Sequence, residues 1–424
     1  MIVVPSILVL VLAGGRSERL HALGRMRPAS ALPFGGKYRV IDFTLSNCVH
    51  SGLTRIGVLT QYAPLSLQEH IGIGRAWDLD RRDGGIRLLQ PYVRQRETNW
   101  YRGTADALVQ NRNVIADAQA RHILVVSGDL IYKMDYGPLI ERHEARRSAL
   151  TIVTTRSPEG ERDRYGVVEA DTAGRVRALA DRSGGAADEK ISAAIYLFRG
   201  RDLMERLADP ALGPDLVHDV IRPMIHEGLP VYADPLDSYW RDVATIPSYF
   251  GASMDLLRPR PPLNLHDPDW LIYTPSEDRA PSVLGGGGDV TSSLVAHGGR
   301  IDGTVRRSIL FPGVQVDAGA VVEDSIVMHD TWIARGARIE QTIVDKQVRI
   351  GEGAEVGVGT PARRPDTLGD LESGLSVIGK RAEIPARARI GRNAMIESGV
   401  READFESTEL AAGSTVRPRE RRRR

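Results

Sequence analysis

The sequence predicts an α/β domain with a mostly parallel sheet, followed by a parallel β-helix. Over residues 7 to about 250, short apolar runs alternate with amphipathic segments. After about residue 291, single apolar residues recur six positions apart. Residues 256–290 between them are rich in proline and glycine, which is typical of a linker. We therefore expect a domain at 1–255, a linker at 256–290, a β-helix at 291–415 and a basic tail at 416–424.

Five apolar runs and the segments between them predict the first domain. Strands that alternate with helices form a largely parallel sheet, which binds its ligands at the carboxyl ends of the strands. Gly14-Gly15 follows the first run, Gly128-Asp129 ends the third, and 104–118 is an expected helix. The runs are ILVLVLA at 7–13, RIGVLTQ at 55–61, HILVVSGD at 122–129, ALTIVTT at 149–155 and ISAAIYLF at 191–198.

The β-helix follows from a six-residue period. Such a period, with small residues and glycine at the corners, is typical of a parallel β-helix, in which each coil buries its apolar side against the next. An antiparallel sandwich is the alternative, but its apolar residues would alternate at two. The stretch 358–375 breaks the period and predicts a projecting loop. The periodic residues are Ile378, Ile384, Ile390 and Ile396, with Val327, Ile333, Ile339, Val344, Ile350 and Val356 before them.

Composition narrows the class of protein. The chain has 424 residues, with 56 basic against 55 acidic ones, so no overall charge favours nucleic acid or a membrane as a partner. Cys48 is the single cysteine, which excludes internal disulfides, fits the reducing cytoplasm and predicts a core position. The opening MIVVPSILVLVLA lacks a basic start and runs into a glycine turn, so we interpret it as a buried strand, not a signal peptide.

A glycine loop follows the first strand. Gly14-Gly15 would let backbone N–H groups approach an anion, and Arg16 and Arg19 add positive charge, so the loop suggests a phosphate-bearing substrate. The same residues are equally compatible with a tight turn that carries exposed cations.

Two aspartates are candidate metal ligands. Asp129 stands just beyond a buried strand, where a carboxylate can hold a divalent ion that bridges phosphates. Asp242, in SYWRDVAT, is the second candidate. A turn is the alternative for Asp129, and a cap of the helix that starts near Ile246 is the alternative for Asp242.

The stretch NWYRGTADALVQN, at 99–111, combines aromatic, cationic and small residues. Gly103 permits close backbone approach, Thr104 or Asp106 can cap the following helix, and Tyr101 offers a stacking surface. These properties suit a ligand-binding loop, and they also suit a surface that binds a partner protein.

Taken together, the motifs resemble those of the ADP-glucose pyrophosphorylase family, that is, glucose-1-phosphate adenylyltransferase. The resemblance covers nearly the whole chain and implies a Rossmann-like nucleotidyltransferase domain and a left-handed β-helix. It implies transfer of adenylyl from ATP to glucose 1-phosphate, giving ADP-glucose and pyrophosphate for glycogen. The motifs are FGGKYRVIDFTLSNCVHSG, VLTQY, NWYRGTADA, SGDLIYKMDY and YWRDVAT, in this order before the hexapeptide repeats.

The resemblance also implies roles for individual residues and partners. Arg19, Asp129 and Asp242 would be catalytic, the two aspartates by holding Mg²⁺. A small-molecule allosteric effector and a homotetramer, or a heterotetramer with a paralogue, are further implied. Nucleotide contacts would come from Gly14, Gly15, Gln61 and Gly103, and sugar-phosphate contacts from Tyr101, Gly166, Asp181, Arg182 and Ser192.

The chain departs from the family pattern at four places. Ser17 stands for a third glycine, and Ala29 stands where the pattern RAKPAV has its catalytic lysine. Farther on, Asp181-Arg182-Ser183 replaces Glu-Lys-Pro, and Ser192-Ala193-Ala194 replaces Ser-Met-Gly. Because alanine cannot neutralise phosphate charge, we expect slow turnover by the chain alone. A regulatory subunit that partners an active paralogue is the main alternative, and a transferase acting on another sugar nucleotide is the other.

Overall fold

We analysed a computed structural model of the chain, which describes residues 6–91, 100–158, 164–181, 189–361 and 373–419. By their contacts, residues group into two compact units that interleave along the sequence. The first comprises Met1–Gly15, Ile41–Arg241 and Pro268–Pro275, and the second comprises Arg16–Val40, Asp242–Asp267 and Ser276–Arg424. The predicted domain bounds remain a prediction.

The strands before residue 245 agree closely with the predicted apolar runs. The runs at 7–13, 122–129 and 191–198 each contain a strand whose interior is almost wholly buried. The strands are β1 (Ile7–Leu12), β2 (Pro33–Phe34), β3 (Tyr38–Arg39), β4 (Arg55–Leu59), β5 (Gly85–Leu89), β6 (His122–Ser127), β7 (Leu130–Tyr132), β8 (Leu150–Arg156), β9 (Val167–Ala170), β10 (Val176–Ala180), β11 (Lys190–Arg199), β12 (Val231–Pro235) and β13 (Trp240–Asp242).

These strands form a mixed sheet with a parallel centre. The order is β10-β9-β11-β6-β1-β4-β5, with β8 beside β11 and β12 beside β8. Strands β6, β1, β4 and β5 are parallel, as predicted, whereas β11 is antiparallel to β6. Because the central strands are parallel, their carboxyl ends and the polar residues that follow them lie at one edge of the sheet.

Helices connect and cover these strands. The predicted helix 104–118 is interrupted at Asn111, whose side-chain amide donates to the carbonyl of Ala107 at 2.9 Å, so two short helices form. No helix in the described segments is both long enough and apolar enough to cross a membrane. The helices are α1 (Val40–His50), α2 (Leu65–Ile71), α3 (Thr104–Gln110), α4 (Arg112–Ala118), α5 (Gly137–Ala145), α6 (Gly200–Arg206), α7 (Arg222–His226) and α8 (Ile246–Asp255).

Within the second unit, residues from Val283 onward form the predicted β-helix of three parallel sheets. All ten periodic residues named above are buried, and they stack in one apolar core. The predicted loop 358–375 lies mostly outside the described residues. The sheets contain, first, Val283–Leu284, Arg300–Ile301, Gln315–Val316, Trp332–Ile333, Arg349–Ile350 and Glu383–Ile384; second, Asp289–Thr291, Thr304–Arg306, Val321–Glu323, Arg338–Glu340, Glu355–Val358, Arg389–Gly391 and Glu409–Leu410; third, Leu294–Val295, Ile309–Leu310, Ile326–Val327, Thr342–Val344, Ser376–Ile378, Met395–Ile396 and Thr415–Val416.

Candidate active site

The glycine loop, Gln61 and Asp129 gather at the carboxyl edge of the parallel strands. Leu12, the last residue of β1, pairs with Leu59 on β4 and with Ser127 on β6, so the three strands end side by side. The chain after β1 runs close to the chain after β4, because the Tyr62 N–H donates to the Gly14 carbonyl at 3.2 Å. A Cβ on Gly14 would lie 3.0 Å from the backbone nitrogen of Gln61, which explains the need for glycine there.

Gln61 holds the chain next to Tyr101. Its side-chain Nε2 donates to the Tyr101 carbonyl at 3.2 Å, and its Oε1 accepts from the Tyr101 N–H. The Tyr101 phenol donates to the Leu89 carbonyl at 3.3 Å and accepts from Asn111 at 3.0 Å. Gln61, predicted to contact the nucleotide, and Tyr101, predicted to contact the sugar phosphate, therefore touch each other directly. The Tyr101 hydroxyl already has partners within the protein.

The turn after Tyr101 is fixed by a second pair of segments. A Cβ on Gly103 would lie 2.4 Å from the carbonyl oxygen of Pro214, so only glycine fits at this close approach. The Asp106 carboxylate accepts from the Arg102 N–H at 2.9 Å and from Gln110 at 2.9 Å. Sequence reasoning offered Thr104 or Asp106 as helix caps, and Asp106 does bind the backbone just before α3, whereas the Thr104 hydroxyl accepts from the Leu216 N–H at 2.9 Å.

Asp129 and Asp242 each accept a hydrogen bond from a residue two positions away in the chain. Asp129 lies between β6 and β7 and accepts a hydrogen bond from the Ser127 hydroxyl. Strand β13, which ends in Asp242, pairs with β7. The Asp242 carboxylate accepts from the Ala244 N–H at 2.7 Å, while Thr245 caps α8 by accepting from Ser248 at 3.3 Å. The alternative that Asp242 caps this helix is therefore wrong.

Across the described residues, no group of three or more histidine, cysteine, aspartate or glutamate side chains forms a ready metal cluster. A site with two carboxylates would not form such a group, because Mg²⁺ usually takes one or two carboxylates with water and phosphate oxygens. Metal binding by Asp129 and Asp242 thus stays a prediction. The carboxylate chemistry of both residues is compatible with it.

The residues predicted for the sugar side assemble around β11. The Ser192 N–H donates to the Gly166 carbonyl at 3.2 Å, and the Ser192 hydroxyl donates to the Tyr196 hydroxyl at 2.9 Å. Burial raises the pKa of Tyr196, so its phenol stays protonated. Trp240 joins this group by donating from its indole N–H to the Ala193 carbonyl at 3.2 Å. Sequence reasoning missed Tyr196 and Trp240, for which the aromatic character of IYLF and SYWRD was the available signal.

Asp181 is engaged in ion pairs. Its carboxylate accepts from both terminal nitrogens of Arg222 and lies 3.3 Å from Nε2 of His218. A carboxylate so paired neutralises nearby cations and holds them in place, while its own oxygens are already in use. Arg182, predicted to grip the sugar phosphate, lies outside the described residues.

The basic loop after Gly15 belongs to the second unit. Arg19 is exposed on a short 3-10 helix, Glu18–Leu23, and Arg16 lies 3.6 Å from the carboxylate of Glu18. Ser17 turns inward and its hydroxyl accepts from the Ala29 N–H at 3.1 Å. Ala29 itself is only 3% exposed. The position where a lysine was expected is therefore a tightly packed methyl group.

Comparisons with known proteins agree with this arrangement. The Nucleotidyl transferase family model matches residues 8–258, and the family model for the GlmU-like, C-terminal hexapeptide matches residues 282–366. The glucose-1-phosphate adenylyltransferase of Thermomicrobium roseum is 44% identical over 418 residues, which are 97% of each chain. Those of Thermotoga maritima (40% over 419 residues, 97% of this chain and 98% of the relative) and Acetivibrio thermocellus (36% over 414, 97% of each) are also similar.

The chain belongs to the glucose-1-phosphate adenylyltransferase family. Identities of 36–44% over nearly the full length leave no large segment outside the family pattern. The family membership and the fold class that the sequence predicted are both confirmed.

Proposed function

We propose that this protein transfers the adenylyl group of ATP to α-D-glucose 1-phosphate, giving ADP-glucose and pyrophosphate for glycogen biosynthesis. Near full-length similarity to glucose-1-phosphate adenylyltransferases supports the activity. The single structural observation that carries the proposal is the meeting of Gly14, Gln61 and Asp129 at the carboxyl edge of parallel strands, where ligands of such sheets bind.

In the proposed reaction, a phosphate oxygen of glucose 1-phosphate attacks the α-phosphorus of ATP in line and pyrophosphate leaves. The protein therefore has to position two anions and offset their charge. Backbone at Gly14 and Gly15 would approach the nucleotide, with Arg19 supplying positive charge to its phosphates. Gln61, oriented by its bonds to Tyr101, would contact adenine together with Gly103, and Tyr101 would belong to the sugar side. Ser192 and Gly166 would line the sugar side.

A divalent metal is the usual requirement of nucleotidyltransferases of this kind, and we propose Mg²⁺ with Asp129 and Asp242 as its protein ligands. When bound, the ion would neutralise charge on the phosphates. The Ser127 hydroxyl orients the Asp129 carboxylate, and the Ala244 N–H orients that of Asp242.

The activity is tested by pyrophosphate release from ATP and glucose 1-phosphate by the purified chain with Mg²⁺. Asp129→Asn should reduce turnover by at least about 10²-fold, because a neutral amide binds the metal poorly. Glu205→Gln, an exposed carboxylate on α6, is the matched control and should leave the rate unchanged. Equal rates in the parent and Asp129→Asn would refute the assignment of Asp129.

We also propose an anionic small-molecule effector. Within the second unit, the charges of Arg27 and Arg39 act on both Lys346 and Lys380, and Asp345 pairs with Arg27. Burial, followed by the nearby Arg39 and Arg27 charges, lowers the pKa of Lys346 to about 7. A lysine held in such surroundings would gain a proton when a multivalent anion arrives. Lys346→Gln should weaken activation by phosphorylated metabolites without changing the unactivated rate.

A second candidate function, a regulatory subunit that partners an active paralogue, is favoured by one observation, the buried methyl group of Ala29. Co-expression with a paralogue that has the lysine tests it. A chain that is inactive alone but shifts the effector response of the mixed tetramer would support the regulatory function. For either function we propose a tetramer in the cytoplasm, the location that a single, buried cysteine fits.

A further inference from the structure

A groove opens on the first unit between α4 and the edge strand β5, at the opposite ends of the strands from the candidate active site. It encloses about 240 Å³. Arg55, which contributes to it, is the first residue of β4, whereas Gln61 follows the last residue of the same strand. The groove reaches along β4 as far as Gly57 and thus occupies the half of the strand that lies farther from Gln61.

Arginine and glycine alternate on the two neighbouring strands that line the groove. Arg55 pairs with Gly85, and Gly57 pairs with Arg87, in the parallel register of β4 and β5. Successive residues of a strand point to opposite faces, so these four residues share one face of the sheet. Each arginine therefore has a glycine beside it on the neighbouring strand. Both glycines are closely packed, because a Cβ on Gly57 would lie 2.8 Å from the Leu89 side chain and a Cβ on Gly85 would lie 2.6 Å from the Leu79 carbonyl oxygen.

The Arg55 guanidinium is held in place without being neutralised by these bonds. Its Nη1 donates to the Ser6 hydroxyl and to the Ala118 carbonyl, both at 3.1 Å, and both acceptors are uncharged. Arg87 is exposed, and its guanidinium forms no ion pair or hydrogen bond with any of the described residues. Two positive charges consequently face the same small space, and each retains donors for an oxyanion.

The opposite wall is formed by α4. Asp117 and Val114 from this helix line the groove, together with Leu8 from the sheet. Among the described residues the Asp117 carboxylate has no partner, although two arginines line the same groove. The groove thus offers a cationic floor, an acceptor on one wall and apolar contacts beside them.

We propose that this groove binds a small organic oxyanion that also carries a hydrogen-bond donor. Arg55 and Arg87 bind the phosphate or carboxylate group, Asp117 accepts from a hydroxyl or amino group, and the aliphatic side chains contact the carbon chain. The volume lies below the roughly 300–1,000 Å³ of pockets that take drug-sized ligands, which favours a ligand of a few carbons over a nucleotide.

Isothermal titration of the full chain with glycerol 3-phosphate tests the proposal. Arg87→Gln should weaken binding about tenfold or more, since it removes a charge-assisted contact from an exposed position that the fold does not need. Arg82→Gln, an exposed arginine outside the groove, is the matched control and should bind like the parent. Circular dichroism verifies that both variants are folded.

Two further measurements identify which chemical groups of the ligand the groove binds. Asp117→Ala, which removes the acceptor, should weaken binding of glycerol 3-phosphate relative to that of inorganic phosphate, which has no carbon-borne hydroxyl. Glycerate in place of glycerol 3-phosphate distinguishes a carboxylate from a phosphate as the preferred group. Loss of binding in Lys346→Gln with none in Arg87→Gln would place the anion in the second unit, and absence of binding at millimolar concentration would equally overturn the proposal.

Discussion

At the scale of single residues, the decisive feature is the contact between Ser17 and Ala29. The sequence reveals the missing lysine, but it does not reveal that the alanine is buried or that its N–H is bound by Ser17. This bond joins residues 12 positions apart and depends on the loop conformation, which no local pattern specifies. A lysine at this site must therefore both add a charge and open the loop.

We expect Ala29→Lys to raise kcat most when combined with Ser17→Gly, which removes the acceptor that holds the loop. A restored cation near the leaving pyrophosphate should increase the rate at least about tenfold, since one such contact typically supplies about 10² to 10³ in rate. Steady-state kinetics of the parent, both single variants and the double variant measure the effect and its coupling. Leu65→Lys, which adds a lysine at an exposed position on α2, is the control.

Two results together would contradict the prediction for Ala29→Lys. The parent would already turn over at rates typical of enzymes, on the order of 10 s⁻¹, and the Ser17→Gly, Ala29→Lys double variant would be no faster. Another cation would then have the role of the lysine, and the regulatory-subunit alternative should be dropped.

Ala194 provides a second test at this scale. Its φ of +57° lies in the left-handed region, which costs an L residue roughly 1–2 kcal/mol, and it sits where the register of β11 against β8 shifts. Ala194→Gly should remove this cost from the folded state. Glycine also makes the unfolded chain more flexible, which should offset about 0.4–1 kcal/mol of the gain in stability. We expect a net stabilisation of up to about 1 kcal/mol, measured by urea unfolding.

The neighbouring Ala193→Gly is the matched control. Ala193 is buried and its φ is not positive, so glycine there should only destabilise. If both glycine variants lose stability equally, the positive φ of Ala194 is not a source of strain.

At the scale of elements, local patterns predict strands well and their contacts poorly. The apolar runs predict β1, β4, β6, β8 and β11 to within two residues, because buried parallel strands need continuous apolar sequence. The break at Asn111 and the Gln61–Tyr101 bonds depend on side chains meeting across the fold. The Asp242 alternative failed for the same reason, since Thr245 caps α8.

Strand β6 and helix α5 meet at two buried histidines. The rings of His122 and His143 are 4.8 Å apart, edge to face. His122 also bonds to Glu144 at 3.0 Å, and His143 to the Thr151 hydroxyl at 2.7 Å. Burial is the main cause that lowers the pKa of His143 to about 3, and the charges of His122 and Arg199 add to this effect. Burial also lowers the pKa of His122, against the opposing effect of Glu144.

The unfolded chain should therefore bind more protons than the folded chain below about pH 6.5, where a free histidine titrates. The stabilisation is fully present above this pH, and the free energy of unfolding should fall as the pH drops toward about 3. The decrease should be at most about 1.4 kcal/mol per pH unit for each histidine. His143→Gln should flatten the dependence between pH 6.5 and 4.5 in urea unfolding. His266→Gln, an exposed histidine, should not, and an unchanged slope in His143→Gln would refute the role of the pair.

At the scale of the whole molecule, the β-helix has an uncovered beginning. Val283 and Leu284, the first strand of one of its sheets, are 51% and 60% exposed. An edge strand with apolar side chains tends to pair with another chain unless charges or a covering segment prevent it. The repeat pattern predicts the coils, but a period alone does not say which coil is terminal or what covers it.

We expect the full chain to be a tetramer that assembles through this end of the β-helix. Replacing both residues by lysine, Val283→Lys with Leu284→Lys, puts like charges at the symmetric contact and should lower the mass measured by light scattering at micromolar concentration. Leu271→Lys, which adds a lysine at an exposed apolar position of the first unit, is the control and should keep the parent mass. A strictly monomeric parent would end the proposal of assembly, whereas a tetramer that the double lysine change does not affect would place the contact elsewhere on the chain.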